Sequence, residues 1–86
     1  MKVSLYSLKK ILFQGKARLL NCKTMAGEIT VLDNHASLIT VLTAGVIKIV
    51  EENPSANSGL KQHFYPIKSG FLEVRQGNEV RCIIEE

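Results

Sequence analysis

Gly27-Glu28-Ile29-Thr30-Val31-Leu32-Asp33-Asn34-His35-Ala36-Ser37-Leu38 is the stretch on which the reading of this chain turns. In physical terms it is a turn, a short strand, a second turn, and the start of another strand, with one Glu and one His among them. The same rhythm continues on both sides. Turn signals recur at Gly15, Ala26-Gly27, Asp33-Asn34, Ala44-Gly45, Asn53-Pro54, Ser58-Gly59, Ser69-Gly70 and Gly77-Asn78. The segments between them are too short for ordinary helices and rich in Val, Ile, Leu and Thr. They predict strands near 2–8, 16–23, 28–32, 37–43, 45–51, 61–67, 70–75 and 79–84.

Alternation supports the strand reading. Val80, Cys82 and Ile84 share one face, and Arg81, Ile83 and Glu85 the other. Leu72 and Val74 oppose Phe71, Glu73 and Arg75. Ile47 and Ile49 oppose Val46, Lys48 and Val50, so both faces of that strand are largely apolar and it is expected inside a double layer. Eight or more short strands at this spacing imply an all-β fold, two packed sheets or a closed barrel. The run from Asn53 to Gly59 reads as a long hairpin tip. Pro66 cannot donate a ladder hydrogen bond, so its strand is expected at an edge or bulged.

The totals set bounds. Eighty-six residues predict a single domain, residues 1–86, with no repeat. Ordering the chain costs about 1–2 kcal/mol per residue in backbone entropy, so stability is expected to be marginal. A net charge of +3, with only Lys9-Lys10 adjacent, is too weak and scattered for a nucleic-acid footprint. No apolar run approaches the ~20 residues of a membrane-spanning helix. The amino-terminal segment lacks the apolar core of a secretory signal. Cys22 and Cys82 are too few and too far apart for a C-x-x-C pair or a zinc site. Both fall in apolar alternation and are expected as reduced, buried packers in a soluble protein of a reducing compartment.

Asp33, His35 and Ser37 raise the idea of nucleophilic catalysis. Three polar residues in five at a turn are more simply turn chemistry, and nothing marks an oxyanion hole. His63 has no carboxylate near it in sequence and reads as a solvated strand residue. No ligand spacing joins His35 to either cysteine. Gly27, Gly45, Gly70 and Gly77 are spread as turn glycines without a phosphate-binding fingerprint. Tyr6, Phe13, Phe64, Tyr65 and Phe71 are expected as core or sheet-cover residues. The residues by themselves therefore predict neither an enzyme nor a cofactor, and leave a free-standing β-barrel adaptor or nucleic-acid-binding module as an alternative.

The stretch 27–38 also resembles the signature of epsilon subunits of F-type ATP synthases, Gly-Glu-x-Gly-aliphatic-x-Pro-(Gly/Asn)-His-Ala-Pro-Leu. Phe13-Gln14-Gly15 is similar to the family's Phe-x-Gly. Ala44-Gly45-Val46-Ile47-Lys48-Ile49 is similar to its Pro-Gly-x-Ile-(Lys/Arg)-Ile. Ser69-Gly70-Phe71-Leu72-Glu73-Val74 is similar to its Gly-Gly-Phe-Leu-Glu-Val, and Gly77-Asn78 follows as in the family. The likeness covers about residues 1–84. Thr30 stands where the family usually has Gly, and Asp33 and Ser37 replace its two prolines. The turn they flank is therefore expected to be more mobile. The 53–59 loop is longer than the family norm, and the chain stops at Glu86, where the family usually continues into two helices.

The resemblance implies a two-sheet β-sandwich of about ten strands without the C-terminal helical domain. It implies a non-catalytic rotor subunit that grips the gamma shaft and sits on the membrane ring of c subunits, coupling ion flow to ATP synthesis. It further implies a peripheral position at the cytoplasmic face of the bacterial inner membrane, with the membrane touched only through the c-ring. Carried over residue by residue, the ring-facing segment is Lys23, Thr24, Met25, Ala26, Gly27, Glu28, Ile29 and Thr30, with Glu28 the acidic partner of the ring. The gamma-facing patch is Ser7, His35, Ala36, Ile39 and Thr40.

Overall fold

The computed structural model describes residues 1–52 and 61–86. Among them are eight strands and no helix: β1 (Lys2–Ser7), β2 (Ile11–Thr24), β3 (Gly27–Leu32), β4 (Leu38–Leu42), β5 (Gly45–Glu51), β6 (Gln62–Ile67), β7 (Ser69–Arg75) and β8 (Glu79–Glu85). The class is the expected all-β sandwich, with eight strands rather than about ten. The expected loop at 53–59 lies outside the described residues.

One layer runs β1-β8-β7-β4 and the other β3-β2-β5-β6. β1 and β8 are parallel, whereas the remaining pairs are antiparallel. The 14-residue β2 belongs to both layers. Its first half pairs with β1, from Lys2↔Lys16 to Tyr6↔Ile11. Its second half carries β3 on one side and β5 on the other. Gly15 was expected to mark a turn before a strand at 16–23. Instead it lies within β2, opposite Val3. The registers slip between Leu5 and Tyr6 and between Ala17 and Leu19, bending the long strand as it crosses between layers.

The period of two decides what is inside. Val80, Cys82 and Ile84 of β8 and Leu72 and Val74 of β7 are buried, facing Leu20, Cys22, Val31, Ile47 and Ile49 of the opposite layer. Each fully buried Leu or Ile contributes about 1.5–3 kcal/mol relative to an exposed one. Pro66 lies opposite Val46 on β6, the last strand of its layer, where its missing N–H interrupts no ladder.

Three expectations are corrected. β5 is covered fully on one face only: Ile47 and Ile49 are buried, while on the other side Val50 is buried but Val46 stays half-exposed. Phe64 and Phe71 do not pack inward, since alternation assigns the core to Leu72 and Ile67 and turns the two rings out; only Phe13 and Tyr65 lean on the core. His63 does have a carboxylate partner. The β5–β6 hairpin sets it opposite Ile49, diagonal to Glu51 on the same face, and its Nε2 pairs with Glu51 Oε2. Twelve residues of chain had hidden that neighbour.

Candidate functional site

The β2–β3 hairpin is short and braced. Lys23↔Glu28 and Thr24↔Gly27 are its last pairs, and Met25-Ala26 forms the tip. Gly27 takes φ +121°, a conformation that disfavours a side chain. The buried Thr24 holds the turn together: its Oγ1 donates to Gly27 O at 2.7 Å and accepts from Ala26 N at 3.1 Å. Met25 N donates to Val41 O, and Thr43 N to Lys23 O, so the tip is tied to the end of β4. Lys23 lays its aliphatic stem over Gly45. Lys23, Met25, Ala26, Gly27, Glu28 and Thr30 are all exposed, and Met25 presents 74% of its surface. Ile29 is different, half-buried against the core. Of the eight ring-facing expectations, six thus form an exposed tip, while Thr24 and Ile29 build it.

The five gamma-facing expectations do not form one contiguous cluster. Successive cross-strand rows of the first layer are Leu38–Val74–Val80–Val3, Ile39–Glu73–Arg81–Ser4, Thr40–Leu72–Cys82–Leu5, Val41–Phe71–Ile83–Tyr6 and Leu42–Gly70–Ile84–Ser7. Ser7 stands in the last row, on β1 and three strands away from Leu42, where β4 meets the hairpin tip. His35 and Ala36 precede the first row, at the opposite end. Ser7 Oγ is also occupied locally, accepting from Lys9 N and Lys10 N at 3.3 Å. Ile39 and Thr40 point to opposite faces: Ile39 is 75% exposed, while Thr40 shares its row with the buried Leu72 and Cys82.

Between the two ends lies a feature that sequence reasoning missed. On the outer face Ile39, Val41, Phe71 and Ile83 stand together, exposed by 75%, 44%, 60% and 47%. Isolated exposed apolar residues need no explanation, but four neighbours on one sheet face do. The signal was present in the alternation of 70–75 and 79–84, where Phe71 and Ile83 fall opposite the core residues. A lattice of charges borders the patch. Glu73 and Arg81 are cross-strand partners, Arg75 approaches Glu73 at 3.8 Å and Glu79 at 3.9 Å, and Arg81 approaches Glu79 at 4.0 Å.

Asp33, His35 and Ser37 do not assemble as a triad. Asp33 Oδ1 accepts from the Met1 amino group at 2.5 Å and from Asn78 Nδ2 at 3.2 Å. These bonds hold its carboxyl below the ordinary value, that from Met1 contributing most. His35 Nδ1 lies 2.8 Å from Ala36 O, which can only accept, so in the neutral ring Nδ1 carries the proton. Among the described residues no group of His, Cys, Asp and Glu is arranged to hold a metal. Cys22 and Cys82 are free and buried. Burial pushes the Cys22 thiol up to about 11 and raises that of Cys82 as well.

The overall fold is shared with known proteins. The family model for the β-sandwich domain of the ATP synthase delta/epsilon chain matches residues 1–86. The chain belongs to this family. Among relatives named ATP synthase epsilon chain, that of Acinetobacter baumannii (strain SDF) is 33% identical over 75 residues, covering 87% of this chain and 50% of the relative. That of Brevibacillus brevis is 28% identical over 85 residues, covering 99% and 59%. The chain therefore spans about half the length of these curated relatives. The fold recurs in the mitochondrial ATP synthase central stalk and c-ring structure of Tetrahymena thermophila, with a TM-score of 0.80 at 17% identity, covering 100% of this chain and 63% of that one. It recurs in the Euglena gracilis OSCP/F1/c-ring structure with a TM-score of 0.82 at 22% identity, covering 98% and 49%.

Proposed function

We propose that the chain is the β-sandwich of a non-catalytic central-stalk subunit of an F-type ATP synthase. It docks on the gamma shaft through the outer face of β4, β7 and β8, and on the c-ring through the β2–β3 tip. The single observation that carries this reading is the exposed patch Ile39–Val41–Phe71–Ile83 on the face of a rigid sheet. A patch of this kind, rimmed by charges, suits a protein partner. Family membership and the relatives' names support the choice of ATP synthase as the assembly. Of the gamma-facing residues Ile39 belongs to the patch itself, and the patch lies between the Ser7 row and the His35 end of the sheet. The tip, tied to β4 through Val41 O and Thr43 N, transmits force through backbone hydrogen bonds rather than through mobile side chains. The work of such a subunit is attachment and torque transfer, performed peripherally at the cytoplasmic face of a bacterial inner membrane without bond chemistry of its own.

The test is co-purification with tagged gamma subunit. Phe71→Glu combined with Ile83→Glu places two charges in the patch and should reduce retention at least about tenfold, since a buried unpaired charge is strongly disfavoured. Both side chains point outward, so circular dichroism and urea midpoint should change little. Full retention with a native fold would remove this face from the gamma interface.

A further inference from the structure

The turn from Asp33 to Ser37 connects β3 to β4 and contains no proline. Its sequence alone predicts mobility, yet it is gripped from a distant turn. Asn78, between β7 and β8, bonds two successive residues of the loop with one amide group. Its Oδ1 accepts from Asn34 N at 2.8 Å, and its Nδ2 donates to Asp33 Oδ1 at 3.2 Å. Chemistry fixes the orientation of this amide, because a backbone N–H only donates and a carboxylate only accepts. Asn78 is itself anchored, its carbonyl accepting from Lys2 N at 3.0 Å. Both Asn34 and Asn78 lie in the left-handed region, at φ 60° and 59°. Asn tolerates that conformation better than most residues. The bonds span 44 and 45 residues of sequence, so they tie the loop to the β7–β8 turn at the same end of the sheet rather than merely shaping a local turn.

The next two residues are His35 and Ala36, the gamma-facing positions at this end of the sheet. His35 N donates back to Leu32 O at 3.2 Å and its ring bonds Ala36 O, so their positions follow that of Asn34. We infer that Asn78 is a positioning residue: its side-chain amide holds the Asp33–Ala36 loop in the shape that meets the gamma subunit. This rests on the gamma-facing reading proposed above. Where a proline would stiffen the loop from within, Asn78 does so through the fold, without touching the partner. A loop ordered before binding loses less conformational entropy when it binds.

Asn78→Gly tests the inference, since glycine accepts φ 59° freely and removes only the amide. The measurements on the full 86-residue chain are amide hydrogen exchange by NMR and affinity for isolated gamma subunit by calorimetry. In the variant, exchange of the Asn34 N–H should accelerate about tenfold, the factor that one hydrogen bond of ordinary net strength supplies. The Leu72 and Cys82 amides serve as references for general destabilisation. Affinity for gamma should fall by about three- to tenfold, a modest loss because no direct contact is removed. Unchanged exchange at Asn34, or acceleration no greater than at the reference amides, overturns the inference. Faster exchange with unchanged affinity also overturns it. His35→Ala then separates the causes. If that variant weakens binding, the loop is at the interface and its clamp is dispensable; if it does not, the gamma-facing reading of this loop has failed.

Discussion

Gly70 of β7 lies so close to Ile83 of β8 that no side chain fits between them. A Cβ on Gly70 would sit 2.5 Å from the Ile83 carbonyl oxygen and 3.0 Å from Ile84 Cα. Both are backbone atoms of a paired strand and cannot move without disturbing the ladder. Gly70→Ala should therefore destabilise by about 1–3 kcal/mol, the usual range for overpacking, read as a lower urea midpoint. Gly45 supplies the contrast. There a Cβ would meet Lys23 Cδ at 3.2 Å, part of a flexible and exposed side chain. Gly45→Ala should fall within about 0.5 kcal/mol of the parent. Equal losses in the two variants would mean that the close approach to β8 does not set the cost at Gly70.

The cysteines should respond to alkaline pH. With its folded thiol held up at about 11 against an ordinary 9.0, Cys22 stays protonated where the unfolded chain ionises. The folded state thus binds more protons through that interval. Stability from this source is complete below about pH 9 and declines as pH rises toward 11. Cys82, also raised by burial, acts in the same direction. Thermal unfolding between pH 8 and 11 should show the fall, and a Cys22→Ala, Cys82→Ala pair should flatten it. At neutral pH both thiols should resist an alkylating reagent in the native protein. After denaturation without reductant, two free thiols should be counted; none would contradict the reduced state.

Asp33 acts at the other end of the pH scale. Its carboxyl is held below the ordinary 3.8 by the Met1 amino group and then by Asn78. The folded state therefore favours the ionised form. Its contribution is present above about pH 4 and is lost as pH falls below that value. Asp33→Asn should lower the melting temperature at pH 6 and matter progressively less toward pH 2. A deficit that stays constant over that range would assign the effect to packing rather than to the carboxylate.

Glu28→Lys should weaken ring attachment while leaving the sandwich intact. The side chain is exposed beside the tip and opposite Lys23, so reversing its sign places two cations together at the proposed contact. Repulsion across an interface is felt more than the loss of one exposed pair. Proton-driven ATP synthesis in reconstituted membranes should fall. Undiminished coupling would take Glu28 out of the ring-facing surface.

Strand identity was written in the chain because a period of two survives in any β context: Val80, Cys82 and Ile84 are buried as their alternation requires. Turn residues gave most strand ends for a similar reason, since Gly27 and Asn78 take backbone angles that few other residues accept. What alternation left open was the outward face. A strand pattern states that Phe71 and Leu72 face opposite ways, but only the neighbouring strands show which face is covered. Pairing of β4, β7 and β8 turned Ile39, Val41, Phe71 and Ile83 into one patch, and separated Ser7 from His35 by the length of the sheet. Contacts across long loops were equally invisible. Glu51 with His63, and Asn78 with the Asp33–Asn34 turn, depend on strand order and register. By itself the sequence determined an all-β chain with a recognisable family signature, through local backbone preference and hydrophobic period. The tertiary structure alone decided where the exposed apolar patch lies and what the Asp33–Asn34 turn is bonded to, because both are made by residues that meet only when strands far apart in the chain are paired.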